Sequence, residues 1–593
     1  MKSGGQKTYK HVAKAVGGFF RRYWPGIVVI GIATIIFFLP LITRIDSYSE
    51  GGDVMFNAWT LERNHSCLEG DNCPSYVDGN IYFPNKDTML YSETQLSTGV
   101  LTLPLSWISD NPWFANNVWT IVSFFLTGLF MYGLAMYLSK GNQFISIATG
   151  LVFAYAPFKM AAVSHLQNLS ILYLPLATLM ILKFFNTNLK RYLIGLFISL
   201  IILFYASWYQ MVFAGIAIVV VVVMALLLKL VKWKPALKVT GVVVLAALSV
   251  LPLATEFIRF SHTNDASFSV KDQTLYSSSL VDYILPYDGT ILGKAFYQLY
   301  PNVQHNAYNL DSYSYHGLIL YAVAIFVLVA AIFLVRRTRK DKENKKTLKM
   351  IVLFSVLALV GFVISLGPLL KIFGNYSYGD MNLAVPLPWL VIDVILPQLT
   401  FIRAIGRASV ITLFALCCLL AFMPLILQKL QWRKSMRYII YAIIGIFIII
   451  ELMPTHMVKM SESPQSYNMK VPAVYKFIKE HKEINNIVII AGDNDYKDVQ
   501  VPTARAEWVL WAGYHNRNIY NGYSGYTPPS YFEQYGDFKN LDNKDITQMK
   551  ALDIRYVIID KLLSSTKPEL IGNAESLMPE KLYEDERFAL FKI

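Results

Sequence analysis

Eleven apolar segments divide this chain, at roughly 26–45, 114–138, 143–158, 167–185, 192–209, 211–229, 239–256, 317–335, 349–368, 407–428 and 437–453. About 20 apolar residues in a row cross a bilayer as a helix, since lipid offers the backbone no hydrogen-bond partner and a helix satisfies its own. The whole chain is 55% hydrophobic and 16% charged, where a soluble domain averages about 25% charged. The expectation is a polytopic α-helical membrane protein with about 11 transmembrane helices.

The net charge of +13 would suit a nucleic-acid partner if it formed a patch. Instead the basic residues gather in short connections between apolar runs. The densest holds Arg336, Arg337, Arg339, Lys340, Lys342, Lys345, Lys346 and Lys349. Basic residues concentrate in cytoplasmic loops, so these loops read as inside. Segment 46–113 reverses the bias, with Arg63 and Lys86 against ten acidic residues. It reads as outside, with segments 257–316 and 369–406. The N-terminus is then cytoplasmic and the C-terminus extracytoplasmic. Residues 1–24 are basic, and the run after them exceeds a signal-peptide core, so the first span reads as a retained anchor.

Residues 1–453 form the membrane part. After Pro454 no segment is long enough to span. Pro472 opens an expected helix with Val474, Tyr475 and Ile478 on one face. Ile487–Ile490 and Tyr556–Ile559 read as buried strands, and Phe588–Ile593 as an edge strand. Residues 454–593 are thus expected to be a soluble extracytoplasmic α/β domain. Cys67 and Cys73 share the first outer segment, where a disulfide can close CLEGDNC; Cys417 and Cys418 are span fillers.

Asp46, Glu50 and Asp53 crowd the exit of the first span, and two glycines before Asp53 let the backbone bend there. A solvated loop or a helix cap at Asp53 would explain them without chemistry. Arg403 and Arg407 lie four apart, so on a helix they share a face. They stand outside, against the charge bias, and guanidinium groups grip phosphate oxygens bidentately. Lys159, His165 and Gln167 cluster at a span end, where a lipid phosphate would sit. Tyr209 and Arg259 are weaker substrate contacts. No P-loop, dinucleotide fingerprint, zinc spacing or serine-triad order is present.

The blocks GGDVMFNAWTLERN (51–64), YFPNKDTMLYSE (82–93), GLVFAYAPFKMAAVSHLQNLSILYLPLA (150–177), SSSLVDYILP (277–286), FIRAIGRASV (401–410) and NGYSGYTPPSY (521–531) follow one another in order. Together they resemble bacterial polytopic glycosyltransferases of the GT-C fold, a group related to lipoteichoic-acid-glycosylating membrane proteins. The resemblance implies transfer of a sugar from a polyprenyl-phosphate donor to an extracytoplasmic glycan or polymer acceptor, with inversion. It also implies a catalytic carboxylate in the first outer loop, which Asp53 matches, with Glu50 and Asp46 in reserve. Relatives carry adjacent acidic residues there, whereas here two glycines separate Glu50 from Asp53. Departure of the phosphate needs cationic help, from arginines or from a divalent metal; the sequence does not choose between them. The rival readings are a transporter or flippase of lipid-linked glycans and a non-catalytic scaffold. Coupled transporters keep ionisable groups at mid-membrane, and Glu451, near a span end, is the visible acid within these segments.

Overall fold

The computed structural model describes residues 3–46, 52–161, 163–264, 266–303, 314–337, 341–377, 383–454, 471–491, 500–531, 538, 541–561 and 569–593. Each of the eleven apolar segments contains helix. Among the described residues, eight helices are long and apolar enough to cross a membrane: Arg22–Ile42, Pro112–Leu138, Leu166–Thr187, Trp208–Leu227, Leu318–Arg337, Lys342–Ser365, Ile405–Lys429 and Lys434–Leu452. A ninth span results if Trp233–Ser249 and Leu251–Asn264, bent by 55° at their junction, are taken together. Pro252 sits just past that break, where its missing N–H and its ring oppose a continuous helix. The helices Gln143–Tyr155 and Lys190–Ala206 are shorter, at 13 and 17 residues.

The helix Ile405–Lys429 is the axis of the bundle. Its apolar residues run all round the cylinder, and such a helix is stable only when covered on every side. Its spanning window is completely buried, against 28% for Lys434–Leu452, whose Ile439, Ile443, Ile446 and Ile450 face outward. Elsewhere small residues set the spacing. A side-chain carbon on Gly150 would fall 2.7 Å from the Gly128 carbonyl oxygen, so only glycine lets Pro112–Leu138 and Gln143–Tyr155 approach this closely. Glu451 accepts from the Tyr315 hydroxyl at 2.6 Å and from the Leu318 and Ile319 amides at 2.7 and 2.9 Å. It therefore caps the start of Leu318–Arg337, satisfying amides that have no partner within that helix.

The C-terminal residues form a four-stranded sheet in the order β1 (Ile487–Ile490), β2 (Tyr556–Asp560), β4 (Phe588–Lys592), β3 (Glu580–Glu584). The β1–β2 pair is parallel and the other two pairs are antiparallel. Both strands expected to be buried are buried. The last strand corrects the sequence reading: β4 lies inside the sheet, and β3 takes the edge. The side chains explain the swap. Phe588, Ala589, Leu590 and Phe591 are buried, whereas β3 carries Glu580, Lys581 and Glu584, charges that suit an unpaired edge. The expected helix runs Ala473–Glu480 after Pro472 and buries Val474, Tyr475 and Ile478.

The C-terminal sheet meets the rest of the chain through the 46–113 segment. After the first helix, α1 (Ser3–Ile42), comes α2 (Gly52–Glu69), which packs along Gln500–His515. The Tyr82 and Phe83 amides donate to the Asn521 and Ile519 carbonyls at 3.1 and 3.0 Å, and Ile519 donates back to Asn80 at 2.9 Å. Buried Arg63 donates to the carbonyls of Asn72 and Asp78 and to the Asn516 side chain. Cys67 and Cys73 are joined as a disulfide. Backbone pairing across this seam satisfies amides that burial would otherwise leave unmet.

Candidate functional site

α2 begins at Gly52, so Asp53 falls in its first turn. A carboxylate there meets the positive end of the helix dipole. Two side chains from distant parts of the chain complete its surroundings. His165 Nε2 lies 3.2 Å from Oδ2, and the Tyr523 hydroxyl donates to Oδ1 at 2.8 Å. Asn57, one turn along α2, donates to the Ser164 carbonyl at 2.8 Å and holds the histidine segment in place. Burial acts to raise the Asp53 carboxyl. The His165 and Tyr523 hydrogen bonds and the His165 and Arg407 charges outweigh it, leaving the group below its ordinary pKa and ionised at neutral pH.

Asp53 lines a cavity of about 800 Å³ that also contains His165, Gln167, Tyr209, Arg403 and Arg407. The two arginines do not share a helix face. Arg403 lies between two single-turn 3-10 helices, Pro397–Phe401 and Ile405–Ala408, and Arg407 lies in the second. They converge because aromatic rings seat them. The Arg403 guanidinium stacks 4.2 Å from the Tyr276 ring centroid and 5.1 Å from Phe268, and Arg407 lies 4.9 Å from Tyr209. The Tyr209 hydroxyl accepts from the Arg403 amide at 3.0 Å, tying the aromatic seat to the arginine loop. Gln167 is held with its Oε1 buried and without a hydrogen-bond partner among the described residues.

Not every expected residue belongs to this cavity. Lys159 is completely buried outside the cavity lining, with its Nζ 5.2 Å from the Phe124 ring and no hydrogen-bond partner among the described residues. Arg259 is exposed and pairs with Asp87 at 3.1 Å and Glu256 at 2.6 Å. Asp46 is exposed at the end of the first span and does not line the cavity; Glu50 lies outside the described residues.

Tyr523 and Glu93 also line the cavity and were not singled out from the sequence as candidates. Tyr523 lies within NGYSGYTPPSY, and Glu93 ends YFPNKDTMLYSE. Glu93 is buried, with Oε1 accepting from the Ser207 hydroxyl at 2.6 Å and the Tyr209 amide at 3.2 Å, so it serves the first turn of Trp208–Leu227. Its Oε2 has no partner among the described residues. Burial pushes the Glu93 carboxyl up, against the opposing pull of Ser207 and Arg407. The block motifs were the available signal for both residues, because neither is conspicuous by charge or spacing.

The cavity thus has an ionised carboxylate fixed by a histidine and a tyrosine, and two arginine side chains held on aromatic rings. That set can accept a proton and bind an anion. No group of three or more His, Cys, Asp or Glu side chains suited to a metal ion occurs among the described residues. Asp53 and His165 are donors of the kinds that hold divalent ions, and they lie side by side in the cavity.

No protein-family model and no curated protein matches the chain. Among solved structures it is similar to the oligosaccharyltransferase of Archaeoglobus fulgidus, at 12% identity and a TM-score of 0.49, over 91% of this chain and 70% of that one. It is also similar to ArnT of Cupriavidus metallidurans, solved with undecaprenyl phosphate, at 9% identity and a TM-score of 0.38, over 97% of this chain and 98% of that one.

Proposed function

We propose that this chain is a GT-C-type membrane glycosyltransferase that moves a sugar from a polyprenyl-phosphate donor to an extracytoplasmic glycan or polymer acceptor with inversion. The observation that carries the reading is the single cavity shared by Asp53 with His165 and by Arg403 with Arg407. In the reaction, an acceptor hydroxyl oxygen bonds to the anomeric carbon as that carbon's bond to the phosphate oxygen breaks. The electron pair of the breaking bond leaves with the polyprenyl phosphate. Asp53 takes the hydroxyl proton, and being already ionised it is ready to accept one. His165 and Tyr523 hold the carboxylate in one orientation; Arg403 and Arg407 meet the charge that develops on the departing phosphate. Attack opposite the departing bond gives inversion.

This reading puts residues 1–453 in the membrane, with the N-terminus cytoplasmic, and the domain of residues 454–593 on the extracytoplasmic side, covering the first outer loop. Contact between Tyr523 and Asp53 then makes the C-terminal domain part of the site rather than an appendage. The test is sugar transfer by purified Asp53→Asn, with donor-lipid retention measured beside it. Asn caps a helix about as well as Asp, so folding is expected to persist. Loss of a positioned base should lower transfer about 10²–10⁴-fold with the lipid still bound. Transfer near the wild-type rate by folded Asp53→Asn would remove Asp53 from the mechanism.

A further inference from the structure

A second cavity, of about 520 Å³, opens at the opposite ends of the same helices. Tyr209 and Arg407 line the first cavity, and Ala225 and Leu425 line the second. Along Trp208–Leu227 and Ile405–Lys429 these pairs are about 24 Å and about 27 Å apart at a rise of about 1.5 Å per residue. That is close to the ~30 Å hydrocarbon thickness of a bilayer. The two cavities therefore belong to opposite membrane faces, the second on the face where the chain's lysines gather.

Its mouth and its depth differ in chemistry. Lys140, Lys342 and Lys346 stand at the mouth with one acid, Glu343, which pairs with Lys140. Lys342 and Lys346 have no acidic partner among the described residues. Below them the walls are Leu182, Phe185, Leu353, Phe422 and Leu425. Lys342 and Leu353 line the same crevice from one helix, so it extends about 16 Å along that helix axis at ~1.5 Å per residue. This is about half the ~30 Å bilayer core, the reach of one leaflet.

We propose that this crevice binds an anionic phospholipid, with its phosphate at Lys342 and Lys346 and an acyl chain running down to Leu353 and Phe422. Three lysines against one glutamate favour a headgroup with net negative charge, and a zwitterionic headgroup would bring its own cation against them. A soluble anion would satisfy the mouth and leave the apolar depth without an occupant. Basic pockets between helix ends on the cytoplasmic side are a recurrent way of holding anionic lipid headgroups.

The experiment uses purified full-length protein in detergent, supplied with phosphatidylglycerol or with phosphatidylcholine of the same acyl chains, and native mass spectrometry to count retained lipid. Wild type should retain phosphatidylglycerol at least tenfold better. Lys342→Gln/Lys346→Gln should lose that preference, while Lys345→Gln/Lys349→Gln, which removes the same charge from the same helix outside the crevice, should keep it. Glu343→Gln should hold the lipid as well as wild type or better. Equal retention of the two lipids by wild type would overturn the proposal, as would equal loss in both lysine pairs or full retention in Lys342→Gln/Lys346→Gln. Competition by glycerol phosphate as effective as by intact phosphatidylglycerol would also overturn it, because the site would then be one for soluble anions.

Discussion

The Tyr523 hydroxyl donates to the Asp53 carboxylate at 2.8 Å across 470 positions of sequence. The hydrogen bond joins the C-terminal region to the first turn of α2, and the pH response of the site should report it. The Asp53 carboxyl is held below its ordinary pKa. Transfer should therefore be undiminished through the ordinary carboxylate range and fall only as pH drops through the lowered value. Tyr523→Phe removes one of the lowering interactions, so the acid limb of the rate profile should move to higher pH. Steady-state rates against pH for the two proteins check this; superimposable acid limbs would assign that limb to another group.

The arginines make a second prediction. Arg403→Ala and Arg407→Ala should each weaken donor-lipid binding by about 1.5–3 kcal/mol, the usual worth of a hydrogen bond to a charged group. Lysine at both positions keeps the charge but loses the planar fork and part of the ring stacking, so it should recover only a fraction. Calorimetric titration with a lipid-phosphate analogue measures both. Unchanged affinity in the double alanine variant would reduce the pair to a structural role.

Glu93 separates cap from chemistry. Glu93→Ala leaves the Ser207 hydroxyl and Tyr209 amide without their acceptor, at a cost of about 1–3 kcal/mol for buried unsatisfied groups. Glu93→Gln restores an acceptor oxygen and should return most of that stability. Thermal unfolding in detergent compares the two, and equal losses would show that the carboxylate charge, not the hydrogen bonding, is what the fold requires.

Arg587 holds together the C-terminal sheet and the helix beside α2. It donates to Glu507 at 2.8 and 3.1 Å and to Asp560 at 2.9 Å, and both carboxylates are buried. Arg587→Ala strands two buried acids, and breaking such a network typically costs about 3–5 kcal/mol. Burial already acts to raise the Glu507 carboxyl, and Arg587 is the main group opposing it. The variant's loss relative to wild type should therefore be largest at neutral pH and shrink in acid, where the Glu507 carboxyl takes up a proton. Denaturation midpoints across pH check the sign.

Orientation can be read from two single cysteines. Glu480 and Lys345 are exposed, and the native Cys417 and Cys418 are buried, which keeps background labelling low. On intact cells an impermeant thiol reagent should label Glu480→Cys and spare Lys345→Cys. The reverse pattern would invert the proposed topology.

The sequence alone located helix in each apolar run, because each run is contiguous and its hydropathy needs no knowledge of its neighbours. The number of spans was not legible, since among the described residues eight helices are long enough to cross, or nine with the bent pair. Ile487–Ile490 and Tyr556–Ile559 were legible as strands because they too are contiguous apolar runs. Asp53, His165, Gln167, Arg403 and Arg407 were legible as candidates, since charged and polar side chains at the membrane boundary are conspicuous wherever they fall. What they do to one another was not. That His165 touches Asp53, that Tyr523 closes over it and that Glu93 caps the helix of Tyr209 depend on contacts between remote segments. No local pattern encodes these. Arg403 and Arg407 illustrate the limit: their spacing suggested one helix face, yet they meet in the cavity through separate aromatic seats on irregular backbone. Lys159 shows the converse, a cation beside the right motif whose direction is set by packing against Phe124. The order of β3 and β4 was likewise decided by which strand had a partner to cover its second edge, a property of the assembled sheet.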